Sequence, residues 1–218
     1  MVLKLYGYTR SPPPPPTKLV TLVLYEKNVP FEYIEVDILK GEQRDPGFLS
    51  TQPYGQVPVM NDNGFVLYES RAIIRYIADK YADQGTSLAP KDLQKRALLD
   101  QAAWGEAFNF NHHASPKVAS ELLYKKFLGQ ETDLVKVEEL KKSLSAKLDI
   151  YEQILSKQAY LIGDELTLAD LQHIPFGTLL EQAQVNLTQE RPNTARWFNE
   201  ISSRASWQKV KDGLPARA

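Results

Sequence analysis

Three places in the chain carry side chains whose type and spacing suit chemistry. At Glu69-Ser70 an acid and a hydroxyl stand where a helical pattern begins, with Ile73, Ile74, Ile77 and Tyr81 following at helical spacing. The first turn of a helix has amide donors without intrahelical partners, so this position offers the Ser70 hydroxyl and backbone N–H groups to an anion. Glu69 suits either a helix cap or a seat for a cation. At Val57-Pro58 a proline opens an apolar run and leaves its neighbour's backbone groups to a ligand that pairs as an added strand does. In the stretch 104–113, Trp104, Phe108 and His112 fall at i, i+4 and i+8 and share one helical face. That face suits ligand contact or ordinary core and dimer packing. His112 and His113 are adjacent, so they diverge on a helix and do not clamp one metal. With three histidines and no cysteine in the chain, no metal site is expected.

The elements that position these residues read in a definite order. Residues 2–6 form a β-type run stopped by Gly7, residues 17–27 suit a buried helix broken by Asn28 and Pro30, and residues 31–37 alternate with β character. Such a strand–helix–strand crossover favours two parallel strands. A polar loop from Lys40 to Gly47 follows. Val57–Met60 and Phe65–Tyr68, joined by Asn61-Asp62-Asn63-Gly64, then signal a hairpin, and a helix starts near Glu69. The expected fold is α/β plus all-α. Residues 1–81 form a thioredoxin-like domain with a mixed four-stranded sheet, 82–92 a linker, and 93–218 a C-terminal helical-bundle domain. In that second domain Leu140, Leu144, Leu148, Tyr151 and Leu155 make one stripe over 134–156. Thr167-Leu168-Ala169-Asp170 reads as a capping box flanked by the staple pair Leu166 and Leu171. It starts a helix carrying Leu171, Ile174, Phe176 and Leu179, read as central and structural.

Composition narrows the function classes. Twenty-six basic and 27 acidic side chains nearly cancel, so the electrostatic footprint of a nucleic-acid binder is missing. The absence of cysteine excludes a cysteine nucleophile, a thiol redox motif, a disulfide framework and zinc–thiolate sites. Any sulfur chemistry here uses a thiol that the ligand brings. The N-terminus reads as a strand and not a signal peptide, and no apolar stretch approaches a membrane span, so a cytoplasmic protein without membrane contact is expected.

Gly55-Gln56-Val57-Pro58 before a strand, Tyr68-Glu69-Ser70-Arg71-Ala72-Ile73 opening a helix, and Thr167-Leu168-Ala169-Asp170 in the helical half together resemble the glutathione transferases. Lys4-Leu5-Tyr6-Gly7 and Glu26-Lys27-Asn28-Val29-Pro30-Phe31 fit the same pattern, which spans essentially the whole chain. Serine-type, phi-like enzymes and their fungal relatives are the nearest in kind. The resemblance implies an enzyme that conjugates glutathione to hydrophobic electrophiles, or uses it to reduce them and peroxides, in the service of detoxification. Glutathione is the co-substrate, no cofactor is permanently bound, and the partners are hydrophobic or aromatic small molecules. A homodimer is expected, with Tyr54 as an interface aromatic. The alternative on the same fold is a low-activity, ligandin-like carrier of aromatic or phenolic compounds.

The resemblance also assigns roles. Val57, beside a cis Pro58, pairs with the cysteinyl part of glutathione, and Gln56 bonds the ligand backbone. Glu69 and Ser70 take the γ-glutamyl end, while Gln43 and Arg44 reach the glycine carboxylate where phi-like enzymes usually carry histidine and lysine. Trp104, Phe108 and His112 line the hydrophobic acceptor site. Lowering a thiol from about 8.5 to about 6.5 takes roughly 2.7 kcal/mol, and one hydroxyl donor to a charged sulfur contributes about 1.5–3 kcal/mol. Ser11, after the first strand and before the first helix, occupies the donor's place. Five prolines, Pro12 to Pro16, separate it from Thr17-Lys18, which the family pattern puts closer. Tyr8 and Thr17 are therefore the other candidate donors, and an absent donor is the remaining case.

Overall fold

The structure, a computed structural model, describes residues 2–9, 15–111, 115–186 and 189–214. Ser11, Pro12 to Pro14 and His112 lie outside the described residues. Contacts divide the chain into two units, one of residues 2–87 with 205–214 and one of residues 88–204.

The first unit is built on β1 (Leu3–Gly7), β2 (Phe31–Glu35), β3 (Val59–Asp62) and β4 (Phe65–Tyr68), in the sheet order β2-β1-β3-β4. β1 and β2 are parallel, with Leu3 opposite Phe31 and Gly7 opposite Glu35, as the crossover through α1 (Pro15–Glu26) requires. β3 pairs antiparallel with both β1 and β4. Asn63 and Gly64, at φ 55° and 97°, supply the left-handed conformations that a two-residue hairpin turn needs. β3 begins two residues later than its apolar run, because Pro58 has no N–H to place in the ladder. The loop 40–47 contains more order than its composition indicates. A short 3-10 turn covers Glu42–Arg44, and Pro46, with φ preset for a first helical position, opens α2 (Pro46–Leu49).

From Thr17 to Leu24 every residue of α1 is buried. A helix that is apolar all round needs neighbours on all sides. One is α3 (Ser70–Lys80), and another is the short helix Ala205–Gln208 near the C-terminus. Trp207 and Val210 are buried there, Ser206 bonds Glu26, and the Lys18 ammonium bonds the Lys211 carbonyl. The helical domain expected over 93–218 does not hold residues 205–214, which join the first unit, because α1 needs that cover. At the far end of α1, Gly85 lies at φ 62°, and a Cβ there would meet the Glu26 carbonyl at 2.3 Å, so no larger residue fits.

The second unit is helical. α4 (Leu93–Gly105) starts on the Asp92 carboxylate, which accepts from the Lys95 amide, and runs into a π-helical stretch at Glu106–Asn111. α5 (Ser115–Ala119), a π turn at Ser120–Tyr124 and α6 (Lys125–Phe127) follow. α7 (Leu134–Leu155) buries Val137, Leu144, Leu148, Tyr151 and Leu155, close to the stripe read from spacing. The capping box forms at the start of α8 (Leu168–Leu171). The single helix expected from it is divided, because Pro175 has no N–H for the Leu171 carbonyl; the chain turns at Gln172-His173 and resumes as α9 (Ile174–Gln182). α10 (Pro192–Ser202) packs against α7 and α9. No helix among the described residues is long and apolar enough to cross a membrane.

Asp170 is the node of this unit. Its fully buried carboxylate accepts from the Thr167 amide at 2.8 Å, the Thr167 hydroxyl at 3.0 Å, the Leu161 amide at 3.0 Å and the Trp197 indole at 2.9 Å. Burial pushes the Asp170 carboxyl up from its ordinary range, and these donors pull it part of the way back. Next to it, His173 sits between the Ala169 carbonyl, 2.7 Å from Nδ1, and the Tyr151 hydroxyl, 2.9 Å from Nε2. A carbonyl only accepts, so Nδ1 carries the proton and Nε2 receives the tyrosine O–H.

Two predictions follow from this packing. Asp170→Ala strands four buried donors at once and is expected to cost about 3–5 kcal/mol in urea unfolding; a loss below about 1 kcal/mol would contradict the role given to this carboxylate. Glu121, buried between Lys125 and Lys136 with 2.5 Å contacts to each, is held at about 2 by those ammonium partners. A depressed carboxyl stabilises the fold above its unfolded value and loses that contribution as pH falls. The stability difference between the parent and Glu121→Gln should therefore be constant above about pH 4.5 and close progressively toward about pH 2. Chemical denaturation across that range checks it.

Candidate active site

Three segments of the first unit converge on one corner of its sheet. Pairing of β3 with β4 sets Val59 opposite Tyr68, so the residues just before β3 lie beside those just after β4. Val57-Pro58 therefore neighbours Glu69-Ser70 at the N-terminus of α3. The Val57–Pro58 peptide bond is cis; Pro58 is buried, Val57 half-buried and Gln56 exposed. The third segment arrives through Gly55. Its φ is 62°, and a Cβ there would stand 3.0 Å from the Gln43 carbonyl and 3.1 Å from Arg44 Cδ. The absence of a side chain lets the turn at Glu42–Arg44 pack directly against the loop that leads into Val57.

Within that corner the polar groups are differently committed. Gln43 Nε2 donates to the Ile38 carbonyl at 3.3 Å, while its Oε1 is buried without a partner. Arg44 is exposed. Glu69 holds φ 68° and ψ 106°, a rare conformation for a residue with a side chain, and its carbonyl accepts the first helical bond from the Ile73 amide at 2.9 Å. Its carboxylate makes no cap with the helix, so the capping role that rivalled ligand contact is not taken up. Ser70 is the first residue of α3 and is largely buried. The corner thus combines a strand end, an acid, a hydroxyl at a helix N-terminus and an exposed guanidinium. It suits an extended peptide-like molecule with carboxylates at both ends and an ammonium at one.

Of the three candidate sulfur-side hydroxyls, Ser11 lies outside the described residues. Thr17 is fully buried and its methyl fills the space over Gly7, where a Cβ would come within 2.4 Å. Tyr8 is also buried, at 1% exposure. Both side chains are therefore buried.

In the helical unit, Trp104 and Phe108 are 60% and 63% exposed, with rings stacked at 5.7 Å and 19°. That exposure excludes the core reading of this face. The two rings border a cavity of about 650 Å³ between the α4–π segment and α7, with Tyr151 among its lining residues. His112, the third member of the expected face, lies outside the described residues. Sequence spacing missed the other wall, which carries Lys147, Ile150 and Ile154. The available signal was that Ile150 and Ile154 are apolar yet fall off the buried stripe of α7. Spacing also missed Glu106, buried at the start of the π stretch; burial raises the Tyr151 hydroxyl above its ordinary value, and the Glu106 charge adds to that.

Comparison with known proteins agrees with this architecture. The family model described as glutathione S-transferase, N-terminal domain, matches residues 1–79, and that described as glutathione S-transferase, C-terminal domain, matches residues 114–205. A glutathione S-transferase of Arabidopsis thaliana is 45% identical over 212 residues, covering 96% of this chain and 97% of its own length. The crystal structure of a glutathione transferase from Populus trichocarpa superposes with a TM-score of 0.91 at 34% identity, covering 98% of this chain and 100% of that one. A maize glutathione S-transferase solved in complex with an atrazine glutathione conjugate has a TM-score of 0.87 at 29% identity, with 96% of each chain covered. The chain belongs to the glutathione S-transferase family, stands with its phi class, and is a transferase.

Proposed function

We propose that this transferase joins the glutathione thiolate to hydrophobic electrophiles, or uses it to reduce them and peroxides, with a serine hydroxyl stabilising the thiolate. The observation that carries the reading is the convergence of Gln43-Arg44, Gln56-Val57-Pro58 and Glu69-Ser70 on one corner. Glutathione lies there as an added strand, its cysteinyl backbone paired with Val57 and supported by Gln56. Ser70 and the first amides of α3 take the γ-glutamyl carboxylate, and Glu69 takes the ammonium. Arg44, with Gln43 beside it, takes the glycine carboxylate. Ser11 donates to the sulfur, so the thiol proton is lost to solvent at near-neutral pH. The thiolate attacks the electrophilic carbon, the new C–S bond forms, and the leaving group departs with its electron pair. Trp104, Phe108 and His112 supply the aromatic wall for the acceptor; the aromatic conjugate held by the maize relative supports acceptors of that class. We place the enzyme in the cytoplasm, where the glutathione pool is kept reduced. It acts as a homodimer in which Tyr54, 65% exposed in the single chain, is covered.

A second reading, a carrier of aromatic or phenolic compounds with little turnover, is favoured by the exposed Trp104–Phe108 stack alone.

Conjugation of glutathione to a chloronitroarene and to an isothiocyanate separates these readings. Ser11→Ala should lower kcat/KM at least about tenfold, the loss of roughly 1.4 kcal/mol of thiolate stabilisation. Indifference to that change would remove Ser11 and pass the donor's place to Tyr8 or Thr17. Ser70→Ala should raise KM for glutathione about tenfold with a smaller effect on kcat, as expected for a contact to a charged carboxylate made equally in ground and transition states. A parent protein with no turnover on either substrate favours the carrier.

A further inference from the structure

We propose that residues 206–214 act as a positioning device for the glutathione thiolate: through Thr9 and Lys18 they fasten both ends of the stretch that carries every candidate donor to the sulfur. The inference rests on the reading of a hydroxyl-stabilised thiolate, and it adds the groups that hold that hydroxyl in place.

Three observations carry it. First, the candidate donors Tyr8, Ser11 and Thr17 all fall between residues 8 and 17, and described residues at the two ends of that stretch are tied to one distant segment. The buried Thr9 hydroxyl accepts from the Leu214 amide at 3.2 Å and from the Tyr33 hydroxyl at 3.4 Å, and it donates to the Leu214 carbonyl at 3.5 Å. One donor and two acceptor sites are all that a hydroxyl has, so Thr9 is fully engaged. At the other end the buried Lys18 ammonium donates to the Lys211 carbonyl and lies 5.9 Å from the centre of the Trp207 ring. Second, the approach to Thr9 is built into the backbone. Gly213 lies at φ 108°, and a Cβ there would stand 3.0 Å from the Thr9 carbonyl oxygen, so a side chain would both strain the turn and push it off Thr9. The Gly213 amide donates to the carbonyl of the fully buried Val210 at 3.0 Å, which roots the turn in the core. Third, Pro12 to Pro16 have no amide hydrogen, so that run supplies no backbone donors for its own fastening. A hydroxyl that stabilises a thiolate has to be held within about 0.5 Å of the productive geometry, and here the fixing groups are those at Thr9 and Lys18. Neither residue is among the groups proposed to hold the two ends of glutathione. They act through the donor and are positioning residues.

The test is the pKa of the glutathione thiol in the complex, read from the ultraviolet absorbance of the thiolate. It is paired with the pH profile of kcat/KM for glutathione, using a chloronitroarene as acceptor. Thr9→Val removes the hydroxyl and keeps the shape. It should raise the pKa of the bound thiol by about one unit and lower kcat/KM about tenfold near neutral pH. A thiol with a raised pKa holds less thiolate below the new value and as much above it, so the loss should close as pH rises past that value. Thr9→Ser, which keeps the hydroxyl, should return the parent's profile. Gly213→Ala and Lys18→Met loosen the same segment at its turn and at its other anchor, and should move the profile as Thr9→Val does. A folded Thr9→Val, Gly213→Ala or Lys18→Met variant that keeps the parent's thiol pKa overturns the inference, as does a loss equal at every pH. Glu121→Gln, in the helical unit, is the control for lost stability; a shift of the same size there also overturns it. Ser11→Ala keeps the two readings apart. If it raises the thiol pKa while Thr9→Val does not, the donor stands and the fastening falls. If Thr9→Val raises it while Ser11→Ala does not, the fastening stands and the donor is Tyr8 or Thr17. A bound thiol that titrates in the parent as a free one does removes both.

Discussion

A proline at the head of a strand withholds the donor that a sheet ladder needs there, and the candidate site of this protein is organised around that gap. Pro58 delays β3 until Val59, so Val57 stands outside the ladder beside the first turn of α3. Everything else in the corner is arranged relative to that short stretch. The tight hairpin at Asn63-Gly64 returns the chain to Glu69-Ser70, and Gly55 lets Gln43 and Arg44 approach from the other side. A ladder continued through residue 58 would commit backbone groups that an extended ligand requires. A Cβ at residue 55 would hold the third segment away. The site depends less on any one functional group than on where pairing stops.

The helical unit solves a different problem, that of burying polar groups safely. Asp170 gathers four donors from Leu161, Thr167 and Trp197, and His173 links the Ala169 carbonyl to the Tyr151 hydroxyl. A buried carboxylate with each neighbour satisfied ties several segments into one arrangement, whereas the same carboxylate with one donor would destabilise it. The break between α8 and α9 belongs to this network. Pro175 interrupts the helix, and the turn that results carries His173 into the position where both ring nitrogens find partners. A fixed inner layer is also what allows the outer layer to remain open. Tyr151 is held from behind by His173 while bordering the cavity walled by Trp104 and Phe108.

What the residues determined by themselves was local. The Asn63-Gly64 turn and the capping box at Thr167 depend on neighbours a few residues away, the stripe on α7 repeats such a spacing, and the crossover follows from the order of successive elements; each is present in the structure. The motif residues around Val57 and Ser70 were legible for the same reason, because a proline before a strand and a hydroxyl at a helix start announce themselves in a few positions. Tertiary structure decided what separation in sequence hides. That residues 205–214 cover α1 follows from a helix apolar on every side, yet no local pattern says which distant segment supplies the cover. The start of β3 at Val59, the division of α8 from α9 and the ordered turn at Glu42–Arg44 were set by the backbone chemistry of single prolines and by packing at Gly55. Lys147, Ile150 and Ile154 join Trp104 and Phe108 only because two helices meet, and the burial of Glu106 is likewise set by tertiary packing. Hydrogen-bond geometry and periodicity act over a turn or two of chain, whereas burial and shape depend on which distant surfaces touch, and that is settled by the packing of the whole unit.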